Sequence, residues 1–262
     1  MAGDDRFEQL VAEAEAQAFE GWDFSLMDGR SEVDPYPWDY AARVAELAAD
    51  ADAIVDLGTG GGEFVAALPH RARLTVATEG WMPNVSVAGR ALRPLGVHVV
   101  AYEGASDNAA QRFMDVDGPL PFRDATFDLV FDRHEAFRAS EVARVLRPGG
   151  TFLTQQTGSL NEIEINRMLG DVEPSLSPTL DEYVAQLERA GLRVTDAREG
   201  FPVQRFFDVG AVVYKLRAIP WQYEGFDVGK HRDGLRRIHH HIAEHGSFAA
   251  RHHRFLLEAT KP

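Results

Sequence analysis

Short apolar runs rich in β-branched residues alternate with segments of helical period through the middle of the chain. The runs are AIVDLG (53–58), RLTVATE (73–79), VHVVAYEG (97–104), FDLVFD (127–132) and GGTFLTQQ (149–156). Such runs suit strands buried on both faces of a parallel sheet. Helix-like segments fall between most of them, at Glu63–His70, Pro83–Leu92 and Glu135–Leu146. Repetition of strand, helix and strand requires right-handed crossovers and an open sheet with helices on both faces. The expected fold is therefore doubly wound α/β, and sheets of that kind bind ligands at the carboxyl ends of their strands. The residues closing the strands are Asp56 to Gly58, Glu79, the loop after Tyr102, Asp132 to Glu135, and Gln155 with Gln156.

After the first run the chain reads DLGTGGGEF, a cluster of glycines that lets the backbone turn sharply and pass close to a ligand. A dinucleotide fingerprint needs a third glycine where Glu63 stands, and a phosphate-binding P-loop needs a lysine that is missing here. The pattern present is D-x-G-x-G-x-G, with Asp56, Gly58, Gly60 and Gly62. Together with Glu79 closing the second strand, and with LPFRDATFDLVFDRHEAF followed by EVARVLRPGGTFLTQQ, it resembles the class I S-adenosylmethionine-dependent methyltransferases. The likeness covers roughly residues 50 to 160, and more weakly LDEYVAQLERAGLRVTDARE as the next helix and sixth strand. It implies a mostly parallel seven-stranded sheet, S-adenosylmethionine as methyl donor and S-adenosylhomocysteine as product. On this likeness the donor is held by Asp56, Gly58, Thr59, Gly60, Gly62, Glu79 and Arg133, with the Glu79 carboxylate accepting both ribose hydroxyls. Asp107 and Asp115 compete for the adenine, in a loop longer than the common pattern.

Methyl transfer from a sulfonium is an in-line displacement, so the protein contributes mainly by holding the nucleophile and removing its proton. His134 follows the fourth strand and has the side chain whose ordinary pKa suits proton acceptance near neutrality. Glu135 either orients it, accepts the proton itself, or opens the next helix. Gln155 and Gln156 end the fifth strand, and alternation turns one of them to the pocket as a substrate contact.

An insertion precedes the final strand, HRFLLEATKP. It reads as two helices, about 209–219 and 230–245, joined by PWQYEGF. The expected organisation is one methyltransferase domain, with an N-terminal helical lid (1–45), a cofactor-binding core (50–200), a helical cap (203–246) and a last strand (252–262). Trp221 and Tyr223 in the cap and Trp38 in the lid are the aromatic candidates for an acceptor wall. His239, His240, His241, His245, His252 and His253 form a dense set, yet two imidazoles at helical spacing supply only half a zinc shell. No metal is expected.

Composition narrows the function further. The 262 residues include no cysteine, which removes thiolate metal sites and a cysteine nucleophile and agrees with a cytoplasmic, reducing location. No apolar run approaches the ~20 residues that span a bilayer, and the start lacks a basic-then-apolar signal segment. A net charge of −14 opposes broad nucleic-acid binding, which draws its affinity from Lys and Arg. The charge is polarised: residues 1–40 hold eleven acids against two arginines, whereas residues 230–262 hold seven Lys and Arg against three acids. The expected activity is methyl transfer to an oxygen, or a nitrogen, of a small organic molecule, by a monomer or homodimer. The alternatives are an RNA base methyltransferase and a non-catalytic S-adenosylmethionine-binding protein.

Overall fold

The computed structural model describes residues 2–18, 24–102, 118–170 and 178–262. The chain divides into two compact units. One comprises Met1–Pro37, Ser159–Ser175 and Gly200–His253; the other comprises Trp38–Gly158, Leu176–Glu199 and Arg254–Pro262.

In chain order the helices are α1 (Ala2–Ala16), α2 (Tyr40–Ala49), α3 (Glu63–Ala67), α4 (Met82–Leu92), α5 (Ala139–Val145), α6 (Ile163–Leu169), α7 (Leu180–Arg189), α8 (Val209–Ala218) and α9 (Arg232–His245). The strands are β1 (Ser31–Val33), β2 (Ala53–Leu57), β3 (Leu74–Glu79), β4 (His98–Ala101), β5 (Phe127–Arg133), β6 (Leu146–Thr157), β7 (Arg193–Gly200), β8 (Val203–Phe206), β9 (Phe248–Arg251) and β10 (Arg254–Thr260).

The second unit is built on a seven-stranded sheet of order β4-β3-β2-β5-β6-β10-β7. β2 pairs in parallel with β3 and β5, β3 with β4, and β5 with β6, whereas β10 runs antiparallel to β6. This is the expected doubly wound, mostly parallel sheet of the class I methyltransferase fold. Its strands are apolar on both sides because both faces are covered. Ile54, Leu129, Phe131, Leu153 and Leu256 join one core with Tyr40, Val44 and Ala48 of α2, Val65 of α3 and Leu92 of α4. Their strand neighbours Val55, Val130, Phe152, Phe255 and Leu257 join the opposite core with Val142 of α5 and Leu187 of α7. Alternate residues face alternate layers, and each such side chain contributes about 1.5–3 kcal/mol when fully buried.

Two boundaries depart from the expected ones for a local reason. The helix read at Glu135–Leu146 begins only at Ala139, and β6 begins at Leu146. The backbone N–H of His134 donates to Gln155 O at 2.8 Å and that of Glu135 to Asp132 Oδ1 at 3.0 Å. With these amides bonded to strand-end partners, residues 134–138 stay irregular, and His134 takes a left-handed φ of 69°.

In the first unit, α8 and α9 match the helices expected in the insertion. Phe7, Leu10, Val11 and Ala14, spaced i, i+3, i+4 and i+7 on α1, are buried with the apolar residues of α8. α8 opens at Asp208, whose side chain caps Ala211 N at 3.0 Å and is gripped by Arg30. The unit also contains a three-stranded antiparallel sheet, β1-β8-β9, which the sequence reading lacked. Thus the N-terminal and inserted segments carry strands as well as helices.

Candidate active site

The glycine turn lies between the carboxyl end of β2 and α3. Gly58, Gly60 and Gly62 have φ of 71°, 63° and 90°, a region that costs a side-chain-bearing residue strain. β3 holds the turn in place. Thr59 N donates to Thr78 O at 2.8 Å, and Gly58 N reaches Thr78 Oγ1 at 3.3 Å. Glu79 supplies the strongest anchors: Oε2 accepts from Gly60 N and Oε1 from Trp81 N, each at 2.7 Å. Gly80 N is a further backbone donor acting on this carboxylate.

Four carboxyls gather at these strand ends. Burial pushes the Asp56 carboxyl up to about 7, with Glu79 adding to the rise and Thr59 and Arg133 opposing it. Glu135 is also pushed up to about 7, first by burial and then by the charges of Glu79 and Asp56. Asp132 is fully buried and held well above the usual carboxylate range by that burial. Its Oδ1 accepts from Glu135 N and from Gln156 Nε2, but its Oδ2 has no hydrogen-bond partner. Glu79 is raised by burial against the pull of its amide donors.

Glu135 lies against the turn. A Cβ placed on Gly58 would stand 2.5 Å from Glu135 Cγ and Oε2, so only glycine leaves room for this carboxylate. A small cavity of about 20 Å³, lined by Gly58, Gly80, Tyr102, Leu120, Glu135 and Phe137 among others, begins at this point.

A second set of contacts fixes the residues after β5. Trp38 Nε1 donates to Gln155 Oε1 at 2.8 Å, Gln155 Nε2 lies 3.1 Å from His134 Nε2, and His134 Nδ1 lies 3.3 Å from Thr157 Oγ1. Gln156 Nε2 bonds Asp132 Oδ1, Glu135 O and Thr154 Oγ1. Both glutamines thus bond to the 132–135 segment. The Tyr40 hydroxyl donates to Asp132 O at 2.9 Å. The sequence marked Asp132 only as one of the residues closing the fourth strand, with no role of its own, and Thr78 and Thr157 were not singled out.

Arg133 is exposed at the end of β5, its guanidinium 5.0 Å from the Phe64 ring centroid. Trp221 and Tyr223 belong to the first unit, where Tyr223 meets Phe226 and His231 edge-on. Asp107 and Asp115 lie outside the described residues. Among the described residues, no group of three or more His, Cys, Asp or Glu is arranged to hold a metal ion. His241 and His245 stack 4.2 Å apart on α9, with His245 Nδ1 on His241 O. No helix among the described residues is long and apolar enough to cross a membrane.

The residues present fit a cationic ligand of the expected kind. Four carboxyls surround a turn with bare backbone, and Arg133 is the cation among the groups shifting them. A molecule bearing a sulfonium and an ammonium supplies the missing positive charge.

Comparison with known proteins defines the class. Residues 55–154 match the family described as a methyltransferase domain. No curated protein matches the chain in sequence. In fold it is similar to a Bacillus halodurans protein described as a candidate methyltransferase, at 19% identity and a TM-score of 0.58, covering 85% of this chain and 98% of that one. It is similar also to the YcgJ protein of Bacillus subtilis, at 17% identity and a TM-score of 0.55, covering 85% and 97%. The [4+2]-cyclase SpnF aligns over 100% of this chain and 95% of its own, at 15% identity and a TM-score of 0.51. The matched domain is that of an enzyme that transfers methyl groups. Residues 55–154 form a methyltransferase domain within a fold of the class I methyltransferase type, and that domain implies a site for S-adenosylmethionine.

Proposed function

We propose that this enzyme methylates an oxygen, or less readily a nitrogen, of a small organic molecule, and that Glu135 takes the acceptor's proton. The bound cofactor supplies an electrophilic methyl group and leaves as S-adenosylhomocysteine. The acceptor's lone pair forms the new bond to carbon as the carbon–sulfur bond breaks, and the acceptor's proton passes to a Glu135 oxygen. The observation carrying this reading is the placement of Glu135 against Gly58, with a carboxyl pushed up to about 7. The cofactor's positive charge favours the ionised form, so Glu135 meets the acceptor as a carboxylate able to take a proton. Gly58, Gly60 and Glu79 hold the donor, and burial around Phe137 and Leu120 excludes water. Nothing in this chemistry requires Trp221 or Tyr223.

Two other readings compete. A site rich in carboxyls in a chain of net charge −14 disfavours an RNA acceptor. SpnF is named for a cyclisation, so this fold alone does not oblige methyl transfer. The deciding experiment incubates the enzyme with S-adenosylmethionine and a pooled set of phenols, carboxylic acids and amines, and measures S-adenosylhomocysteine release. Release by the wild type is expected, falling about 10²–10⁴-fold in Glu135→Gln. Undiminished release by that variant would remove Glu135 from the proton transfer, and release with no pool member would favour the non-catalytic reading.

A further inference from the structure

We infer that Gln155, oriented by Trp38, is a positioning residue that fixes His134 as its neutral Nδ1–H tautomer and so makes His134 a hydrogen-bond donor rather than the base. The inference rests on the proposed methyl transfer for its catalytic meaning, but the tautomer follows from the hydrogen bonds alone.

The direction of the chain is set at one end. An indole N–H only donates, so the Gln155 oxygen, 2.8 Å from Trp38 Nε1, must face it. The Gln155 amide nitrogen then faces His134 Nε2 at 3.1 Å and has only hydrogens to offer. His134 Nε2 therefore carries its lone pair, and the neutral ring has its hydrogen on Nδ1. That hydrogen points to Thr157 Oγ1, 3.3 Å away. Thr157 accepts, so its own O–H becomes the outgoing donor at the carboxyl end of β6. Trp38, Gln155, His134 and Thr157 thus form a one-way series of donors.

The backbone reinforces the series. Arg133 is registered opposite Gln155, and His134 N bonds Gln155 O, which holds the imidazole at this distance despite its left-handed φ. An imidazolium donates from both nitrogens. Forming it opposes the Gln155 amide hydrogens, or turns the amide and loses the Trp38 bond. Proton acceptance consequently falls to Glu135, one residue on, whose backbone N–H is tied to Asp132 and whose carbonyl is tied to Gln156.

Nitrogen-15 spectra of histidine-labelled, cofactor-free protein test this directly, with the His134 signals identified by their loss in His134→Asn. The Nδ1–H form is expected in the wild type. Trp38→Phe removes the indole donor and frees the amide to turn, so a mixture of tautomers is expected. Gln155→Glu presents only acceptors to Nε2, so protonation of Nε2 is expected. Thr157→Val is expected to leave the tautomer unchanged, because the direction is imposed from the Trp38 end; the other histidines report whether each variant is folded. A wild-type Nε2–H form, or a tautomer that follows Thr157→Val and ignores both Trp38→Phe and Gln155→Glu, would overturn the inference. In the release assay Gln155→Glu is expected to lose at least about tenfold in turnover, the scale of one charge-assisted hydrogen bond, with S-adenosylmethionine still bound. A changed tautomer with unchanged turnover would overturn the positioning role, whereas failure of the wild type to bind S-adenosylmethionine would count against the methyltransferase reading instead.

Discussion

Cofactor affinity is expected to rise with pH through neutrality. Asp56 and Glu135 are both held at about 7, so each is about half protonated there. A sulfonium and an ammonium placed among them favour the ionised carboxylates and return each toward its usual value near 4. For one group moving from about 7 to about 4 on binding, the apparent association constant rises about tenfold between pH 6 and 8, or ~1.4 kcal/mol. Two independent groups give roughly a hundredfold; their shared repulsion with Glu79 couples them, so the rise lies between these limits. At pH 7 binding then releases roughly half a proton to one proton in all. Calorimetry in two buffers of different ionisation enthalpy counts that proton. S-adenosylhomocysteine, without the sulfonium charge, is expected to release less. The cofactor-free fold obeys the same linkage. Because these carboxyls are raised in the folded state, their stabilising contribution is complete below their unfolded values near 4 and is lost as pH rises through 7. An affinity flat from pH 6 to 8 with no proton released would refute the acid-cluster account of cofactor binding.

Two further results are expected. Glu79→Ala deletes both acceptors that tie Gly60 N and Trp81 N, and is expected to weaken S-adenosylmethionine binding by about 1.5–3 kcal/mol; unchanged calorimetric affinity would remove Glu79 from the donor site. In the first unit, fully buried Glu162 is paired with Lys215, which also bonds Gln204, and the Glu162 carboxyl is lowered to about 2 despite its burial. That stabilisation is present above its unfolded value near 4.5 and is lost as pH falls through about 2. Lys215→Met strands a buried charge and is expected to cost about 3–5 kcal/mol by urea unfolding, with Glu162→Leu added to it recovering most of the loss; a double variant no more stable than the single one would contradict this.

The sheet was legible because its strands are covered on both faces, which leaves runs such as AIVDL apolar apart from the site residue Asp56. The insertion helices were legible for a related reason: Leu235, Ile238 and Ile242 keep the helical period on α9. The 134–138 segment was not, since periodicity cannot register that Asp132 Oδ1 and Gln155 O have captured its amides. β1 was also hidden, being three residues, SEV, with no apolar alternation of their own and a partner strand some 170 residues away. Likewise Glu162 and Lys215 are far apart in sequence and look like ordinary surface charges until folding buries both. The glycine turn and Glu79 were readable because their chemistry is local; the Trp38–Gln155–His134 series joins three distant segments and is not.

The choice of two adjacent glutamines at the end of β6 follows from the electrostatics of the site. Alternation along the strand sends Gln155 to His134 and Gln156 to Asp132 and the Glu135 carbonyl, so two neighbouring side chains hold Asp132, His134 and Glu135 at the end of β5. A lysine or arginine at 156 would make the same contacts with Asp132, but its charge would pull the nearby carboxyls down and neutralise the negative site. The proton release expected on cofactor binding would then be lost, and the cofactor's sulfonium would meet a resident positive charge. An acid at 156 would add a further negative charge to a cluster already pushed up by burial. The amide is neutral and supplies the donors that both Asp132 Oδ1 and the Glu135 carbonyl require. It holds the segment rigid while leaving the positive charge to be brought by the methyl donor.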